Sequence, residues 1–299
     1  MTTYVFYRLD SAINNFFNNT TVTRQQCDEF AISRAGGVST ALQMQGFRDE
    51  NSTIDMDNIS LAKAVHPEFV ASCKYLGTIG DSQPLHIYEM ENLPGPALIM
   101  ARIPPNDMSR QRNTINDYAR FFAQSWNSNL EACSDKTATL LSEFQSKFDL
   151  LARNLPSRFA SNLVRVRKEL PSLFSKALPF VLSHGDLNMM NLLINPETGN
   201  ITGIVDWAES GILPFGFVLY GLENLLGWMD SEGWHYYDCY RELADADLYL
   251  IRTARMAGFF CHYGFIFDMK GEVQSVRMEG SLAYLDTFCT TVEWAPLSV

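Results

Sequence analysis

The sequence lacks the features that mark secreted, membrane-spanning or nucleic-acid-binding proteins. Its six cysteines are scattered without a C-x-x-C pair, so metal-site spacing is absent and reduced thiols are expected. No run of 18 apolar residues occurs, and no positively charged start with an apolar run follows Met1. The net charge of −11 argues against a nucleic acid or an anionic membrane as partner. We therefore expect a cytoplasmic protein without either kind of partner.

What is present is an ordinary globular composition. Hydrophobic residues make up 46% of the chain and charged residues 19%. A chain of 299 residues can bury one substantial core, or form two lobes that share a cleft. The sequence contains no internal repeat and no low-complexity segment, so local motifs carry the information about its function.

The segment 182–207 carries three polar side chains at an informative spacing. Asp186 follows His184 by two residues, Asn191 follows Asp186 by five, and Asp206 comes fifteen residues after Asn191. In kinase catalytic loops the first Asp accepts the proton of the substrate hydroxyl, while the Asn and the second Asp hold metal ions. Such a string arises by chance in roughly one chain of this length in a hundred, so the pattern needs structural support.

A predicted β-hairpin supplies that support. Residues 192–194 and 201–205 are short apolar runs, and 195–199 is the turn sequence Asn-Pro-Glu-Thr-Gly. A hairpin brings the start of its first strand close to the end of its second. The sequence therefore predicts that Asn191 and Asp206 lie side by side.

These motifs resemble those of the aminoglycoside phosphotransferase and choline kinase family, which shares the protein-kinase fold. The resemblance is strongest to a fungal branch encoded near secondary-metabolite pathways, and residues 184–216 look like that branch nearly end to end. Residues 85–95 resemble its strand-to-hinge connection, and 117–126 resemble a helix early in its C-terminal lobe. The match is good from about residue 68 onward and patchy before it.

The resemblance implies an α+β, two-lobed, protein-kinase-like fold with a truncated N-terminal lobe. We expect that lobe at 1–95, a hinge at 91–96, and a helical C-terminal lobe at 96–299 that contains the catalytic hairpin 180–207. Apolar periodicity and caps predict the other elements. Before the hinge these are helices at 9–18, 24–34 and 56–65 and strands at 40–45, 71–77 and 85–90; after it, they are helices at 114–127, 138–154, 162–175, 217–228, 236–244, 246–267 and 280–292.

Site residues follow from the resemblance position by position. Asp186 is the expected catalytic base, with His184 bracing its loop. Asn191 and Asp206 are the expected ligands of Mg²⁺. The expected cofactor is ATP. The resemblance predicts that the hinge residues Met90, Glu91 and Leu93 bind it, and Arg48 is added because few other basic residues precede the hinge.

The N-terminal lobe departs from the kinase pattern. A kinase covers the phosphates with a Gly-rich hairpin and grips them with a lysine on a strand. Here Gly36 and Gly37 fit the end of a helix better than a phosphate loop. Lys63 falls on a predicted helix and Lys74 on the strand before the hinge strand, which leaves Arg48 as the remaining candidate. Compared with the family, the chain lacks a β-hairpin here.

An aromatic-rich region after Asp206 is the candidate substrate pocket. Rings there could hold an apolar or cationic group by stacking and cation–π contacts. Ordinary helix packing explains the same rings, because aromatics at helical spacing mostly fill cores. The candidate substrate-binding residues are Trp207, Glu209, Trp228, Trp234 and Tyr237.

Three hypotheses remain open for a small-molecule substrate. The first is Mg-ATP-dependent phosphoryl transfer to a hydroxyl group in a secondary-metabolite pathway. The second is an ATP-independent cyclase, dehydratase or isomerase that reuses Asp186, because losing about 4 kcal/mol of phosphate stabilisation slows transfer about a thousandfold. The third, a non-catalytic binding module, has no need of the intact Asp186, Asn191 and Asp206 set and ranks last.

Overall fold

The structure, a computed structural model, describes most of the chain in two compact units. The first contains Met1–Asp57 and Ser72–Glu91, and the second contains Asn58–Ala71 and Asn92–Val299. The predicted strand 40–45 and Arg48 lie outside the described residues, as do most of the predicted helices 9–18 and 236–244. The described residues are 16–18, 20–35, 54–81, 84–104, 106–128, 130, 134–175, 178–230, 233–237, 249–267, 273–277 and 282–290.

In the first unit, helix α1 (Arg24–Ala35) begins at a capping box. The backbone N–H of Thr23 donates to Gln26 Oε1 at 2.8 Å, and the backbone N–H of Gln26 donates to Thr23 Oγ1 at 3.2 Å. This reciprocal pair satisfies donors that the first helical turn leaves free. The prediction that Thr23 caps a helix starting at Arg24 is confirmed.

Strands β1 (Cys73–Ile79) and β2 (Leu85–Met90) form the antiparallel pair of the first unit. Their register is irregular at Gly77, whose φ of +115° suits a residue without a Cβ atom. Ser72 precedes β1 and Glu91 follows β2, so the two residues lie opposite each other. The Glu91 N–H donates to Ser72 O at 2.9 Å, and the Ser72 N–H donates to Glu91 Oε2 at 3.2 Å. Glu91 therefore fastens the end of this hairpin.

Helix α2 (Met56–Val65) has the predicted bounds, and the second unit is mainly helical. Its core is built where α6 (Ala160–Leu173) packs against α5 (Ser134–Asn154) and α8 (Tyr249–Tyr263), around fully buried rings such as Phe148, Phe159 and Phe260. No described helix has the length and apolar character to cross a bilayer. The remaining helices are α3 (Leu98–Ala101), α4 (Met108–Ser128), α5 (Ser134–Asn154), α6 (Ala160–Leu173), α7 (Tyr220–Glu223), α8 (Tyr249–Tyr263) and α9 (Ala283–Cys289).

The strands of the second unit pair antiparallel in twos. The pair of β4 (Leu192–Ile194) and β5 (Ile201–Ile204), with Leu192 opposite Ile204, confirms the hairpin predicted between Asn191 and Asp206. The predicted helix 217–228 is wrong, because only a single turn forms there before a strand begins. The helix at 246–267 is shorter than predicted and gives way to a strand. The pairs are β3 (Phe180–Ser183) with β6 (Gly211–Pro214), β4 (Leu192–Ile194) with β5 (Ile201–Ile204), β7 (Gly227–Asp230) with β8 (Gly233–Tyr236), and β9 (Phe265–Phe267) with β10 (Val273–Ser275).

Helix α4 holds the turn of the catalytic hairpin through a buried carboxylate. Asp117, only 3% exposed, accepts hydrogen bonds at Oδ2 from the Ile201 N–H at 2.9 Å and from Asn200 Nδ2 at 3.0 Å. One turn earlier, Thr114 Oγ1 donates to Gly199 O at 2.6 Å. These contacts fix where β5 begins, and therefore where Asp206 lies at its far end.

Replacing Asp117 by alanine is expected to lower the free energy of unfolding by about 2 to 4 kcal/mol, because the buried Ile201 N–H then has no acceptor. Urea unfolding followed by tryptophan fluorescence measures the change. The matched control is Asp149→Ala, which removes an exposed ion pair with Arg167 and should cost about 1 kcal/mol or less. Equal losses in both variants would contradict the role given to Asp117.

Candidate active site

The predicted catalytic loop, residues 184–191, connects β3 to β4, and hydrogen bonds within the loop stabilise its turn. The Asn191 N–H donates to Asn188 O at 3.1 Å, and the Met190 N–H donates to Asn188 Oδ1 at 2.8 Å. Gly185 has a φ of +85°, and a Cβ atom at this position would lie 2.2 Å from Glu209 O. Only glycine fits this approach, so the loop closes against the segment that follows Asp206.

Two asparagines hold the Asp186 carboxylate in place. Asn188 Nδ2 donates to Oδ1 at 2.8 Å, and Asn191 Nδ2 donates to Oδ2 at 3.1 Å and to the Asp186 carbonyl at 2.7 Å. A carboxylate has about four lone-pair positions, so each oxygen keeps room for a further donor. Asp186 is partly exposed, with its orientation set before any ligand arrives.

The hairpin brings Asn191 and Asp206 together, as the sequence predicts. Asn191 O accepts a hydrogen bond from the Val205 N–H at 2.9 Å, which places Asp206 next in line on the opposite strand. Asp206 is exposed and left-handed, with φ +64° and ψ +63°. A non-glycine residue in this region is uncommon, and such strain is concentrated at functional sites.

The donor set at this point suits Mg²⁺ bound together with phosphates. Because both contacts of Asn191 Nδ2 are made to Asp186, the amide oxygen Oδ1 is the end left for a cation. Among the described residues, no group of three or more His, Cys, Asp or Glu side chains could hold a metal ion. Mg²⁺ commonly takes one or two protein carboxylates and completes its shell with water and substrate phosphates, which fits Asp206 and Asn191.

His184 connects the predicted catalytic loop to the end of the hairpin at Val205. Its ring is fully buried, and Nε2 lies 2.8 Å from Val205 O, so this nitrogen carries the proton and donates to the carbonyl. Burial lowers the pKa of His184, which keeps the ring neutral. Trp207, 6% exposed, lies against His184 with a centroid distance of 4.7 Å and donates from Nε1 to Ile204 O at 2.9 Å. This burial favours a supporting role for Trp207 over contact with a substrate.

Three residues near Asp186 were not predicted from the sequence. Asn188 holds its carboxylate, as described above. Tyr220, on α7, donates from its hydroxyl to Gly185 O at 2.9 Å and so anchors the loop. His262, near the end of α8, stacks on Tyr220 with a centroid distance of 4.3 Å and places Nε2 3.9 Å from Asp186 Oδ1. An Asn two residues after an Asp is a common loop signal, but no local pattern points to Tyr220 or His262.

The expected nucleotide-binding residues are only partly described. Met90 ends β2 opposite Cys73, and Glu91 closes that hairpin in the first unit. In the second unit, Leu93 packs on β5 at Gly203, where a Cβ atom would lie 2.5 Å from Leu93 Cδ1. Their role in binding a nucleotide stays a prediction.

The aromatic residues expected to bind substrate do not form one cluster. Trp228, 40% exposed, stacks on His235 and lies 5.3 Å from the Tyr237 ring. Trp234 is on the other face of the β7–β8 hairpin, because neighbouring residues of a strand point to opposite sides. Its ring packs near Phe288, at 5.2 Å between centroids. Trp228 and Tyr237 thus share a surface that Trp234 does not join, and the Glu209 side chain is exposed.

Comparison with known proteins bears on this arrangement. The family described as the phosphotransferase enzyme family matches residues 55–220, more than half of the chain and the whole catalytic hairpin. Among curated proteins, none matches the sequence.

Solved structures match the chain at low sequence identity. The GDP complex of wild-type aminoglycoside 2'-phosphotransferase-IIIa is 17% identical, with 81% of this chain and 91% of that chain covered and a TM-score of 0.49. Macrolide 2'-phosphotransferase type I is 12% identical, with coverages of 92% and 100% and a TM-score of 0.46. An aminoglycoside phosphotransferase from Streptomyces rimosus, in complex with ADP and streptomycin, is 16% identical, with coverages of 79% and 81% and a TM-score of 0.40.

Proposed function

Because the chain belongs to the phosphotransferase enzyme family, we propose that it transfers the γ-phosphoryl group of Mg-ATP to a hydroxyl group of a small molecule. The observation that supports this most directly is the asparagine-held carboxylate of Asp186 beside the Asn191–Asp206 pair. A secondary-metabolite pathway and a cytoplasmic location are expectations from the sequence that belong to the same proposal.

Each residue has a role that follows from its contacts. Asp186 accepts the proton of the acceptor hydroxyl, with its two oxygens already oriented by Asn188 and Asn191. Asn191 Oδ1 and the Asp206 carboxylate would hold Mg²⁺. Bound ATP would supply the phosphoryl group, and Mg²⁺ would neutralise the negative charge of the phosphates. His184 fixes the position of the Val205 carbonyl by a hydrogen bond. Because Asp206 follows Val205, this contact also fixes the position of Asp206 next to the loop.

One observation favours the ATP-independent alternative, a cyclase, dehydratase or isomerase. Lys63 Nζ donates to Val70 O at 2.7 Å and to Pro67 O at 3.0 Å, so it closes a turn instead of extending toward a ligand. Lys74, the other lysine before the hinge, lies opposite Glu89 in the β1–β2 register. In that case Asp186 would perform acid–base chemistry on a substrate without a nucleotide.

Measuring the release of ADP distinguishes phosphoryl transfer from the ATP-independent alternative. Purified protein is incubated with ATP and a panel of alcohols, polyols and aminoglycosides, once with Mg²⁺ and once with EDTA. The proposal predicts Mg²⁺-dependent release of ADP that at least one acceptor accelerates. Release of no ADP in any reaction, together with turnover of a hydroxylated intermediate in the absence of nucleotide, would replace the proposal by the alternative.

A further inference from the structure

The gap between His262 and Asp186 has the width of one bound oxygen atom. His262 Nε2 and Asp186 Oδ1 are 3.9 Å apart, which is too far for a direct hydrogen bond. An oxygen at about 2.8 Å from each atom fits between them, with an angle of about 90° at the oxygen. A hydroxyl group can make both contacts, because it has one donor and two acceptor positions.

The width of this gap is fixed from both sides. The His262 ring stacks on Tyr220 with 22° between the planes, and it meets the Tyr263 ring at 90° with a centroid distance of 4.5 Å. The hydroxyl of the same Tyr220 donates to Gly185 O at 2.9 Å, next to Asp186 in the chain. Tyr220 therefore sets the position of the imidazole and of the catalytic loop together.

The two groups are also accessible and chemically suited to an alcohol. The side chains of His262 and Asp186 are 23% and 36% exposed, so a ligand can reach the space between them. Burial lowers the pKa of His262, although the Asp186 charge opposes this, so we take the ring as neutral. A neutral imidazole offers one N–H donor, which an oxygen that donates to Asp186 can accept.

We propose that His262 is an acceptor-binding residue, and that the reacting hydroxyl of the small molecule donates to Asp186 Oδ1 while it accepts from His262 Nε2. This rests on the proposed function and extends it. Two fixed contacts orient the oxygen, whereas Asp186 alone would leave it free to rotate about one hydrogen bond. The remaining lone pair of that oxygen is then directed at one position, which is what phosphoryl transfer requires.

Water is the probe for a kinetic test, because it is the smallest acceptor and needs no knowledge of the natural one. His262→Phe keeps a ring on Tyr220 but removes the N–H, and should lower the kcat of Mg-ATP hydrolysis by about tenfold to a hundredfold. The Kd of Mg-ATP, measured by calorimetry, should stay the same. His262→Gln restores a donor and should recover part of the rate, while His86→Phe, on β2, should match the wild type. Wild-type hydrolysis by His262→Phe would overturn the proposal.

A crystal structure without ligands gives a test that does not depend on activity. The proposal predicts an ordered water within about 3.2 Å of both His262 Nε2 and Asp186 Oδ1. The water should be lost in His262→Phe. A direct contact between the two side chains, or a gap without ordered oxygen, would overturn the proposal. Should the wild-type protein release ADP neither with water nor with any acceptor of the panel, the proposed function fails on that result, and the water position alone decides whether His262 and Asp186 hold an oxygen between them.

Discussion

Asp186→Asn is expected to lower phosphoryl transfer by about a hundredfold to ten-thousandfold, which is the usual contribution of a positioned general base. The amide has nearly the shape of the carboxylate but cannot accept the proton of an acceptor hydroxyl. It also places an NH₂ group against Asn188 or Asn191, both of which now donate to carboxylate oxygens.

ADP release under saturating Mg-ATP measures this effect, and thermal unfolding checks that the variant is folded. Asp149→Asn, on the exposed face of α5, is the matched control and should release ADP like the wild type. An Asp186→Asn protein that keeps its rate while remaining folded would contradict the assignment of Asp186 as the base.

The second large effect is a loss of stability in mild acid. His66 is fully buried, with Nδ1 3.0 Å from Gln124 Oε1 and Nε2 3.2 Å from Ser125 Oγ. Its ring stacks on Phe121 at 4.0 Å and lies 5.9 Å from the Trp207 ring. Burial lowers the pKa of His66 from 6.5 to about 4, although the hydrogen bond with Gln124 opposes this shift.

The sign of the effect follows from that lowered pKa. Between pH 6.5 and about 4 the unfolded chain binds a proton that the folded protein refuses, so acid favours unfolding. The contribution of His66 is complete above pH 6.5, declines as the pH falls, and is fully lost below about 4. A shift of this size corresponds to about 2 to 4 kcal/mol.

Urea unfolding at intervals from pH 7 to pH 4.5 tests this prediction. Other groups titrate in the same range, so the informative quantity is the difference between wild type and His66→Gln. The variant starts from lower stability but should lose about 2 to 3 kcal/mol less than wild type over this range. His86→Gln, on the exposed β1–β2 hairpin, should follow the wild-type curve. Parallel curves for His66→Gln and wild type would show that His66 does not control acid stability.

The catalytic hairpin could be predicted because its determinants are local. The turn 195–199, the apolar strands on either side and the spacing of Asp186, Asn191 and Asp206 all lie within 26 residues. The match to the phosphotransferase enzyme family over residues 55–220 confirms the family resemblance that these residues carry, and the described residues form the expected mixture of helices and antiparallel strands. The fungal branch is a finer assignment that stays a prediction.

The predicted helix at 217–228 failed for a reason that involves distant residues. The segment has apolar residues at helical spacing, but a Cβ atom on Gly221 would lie 2.4 Å from Leu187 O. Farther along, Gly227 pairs with Tyr236 in a strand, and a Cβ atom there would lie 2.2 Å from His235 O. Close packing against the catalytic loop and strand pairing override the periodicity, and neither contact is visible in a local pattern.

The positions of Tyr220 and His262 could not be predicted for the same reason. His262 lies 76 residues after Asp186 in the chain, and only the packing of α8 on α7 brings the two together. For Trp207 the sequence suggested a contact that the structure does not favour. Its position next to Asp206 in the chain suggested a substrate contact, but its indole is buried against His66 and His184. Sequence spacing identifies side chains that share a loop, whereas contacts between elements decide which of them surround a ligand.

Calorimetric titration with ATP, in the presence and absence of Mg²⁺, tests the central claim most directly. The proposed site predicts heat of binding that requires Mg²⁺ in the wild type and is strongly weakened in Asp206→Ala, with Asp149→Ala as the unaffected control. A wild-type protein that produces no heat at millimolar Mg-ATP, or an Asp206→Ala protein that binds Mg-ATP equally well, would contradict the assignment of Asn191 and Asp206 as the metal–nucleotide site.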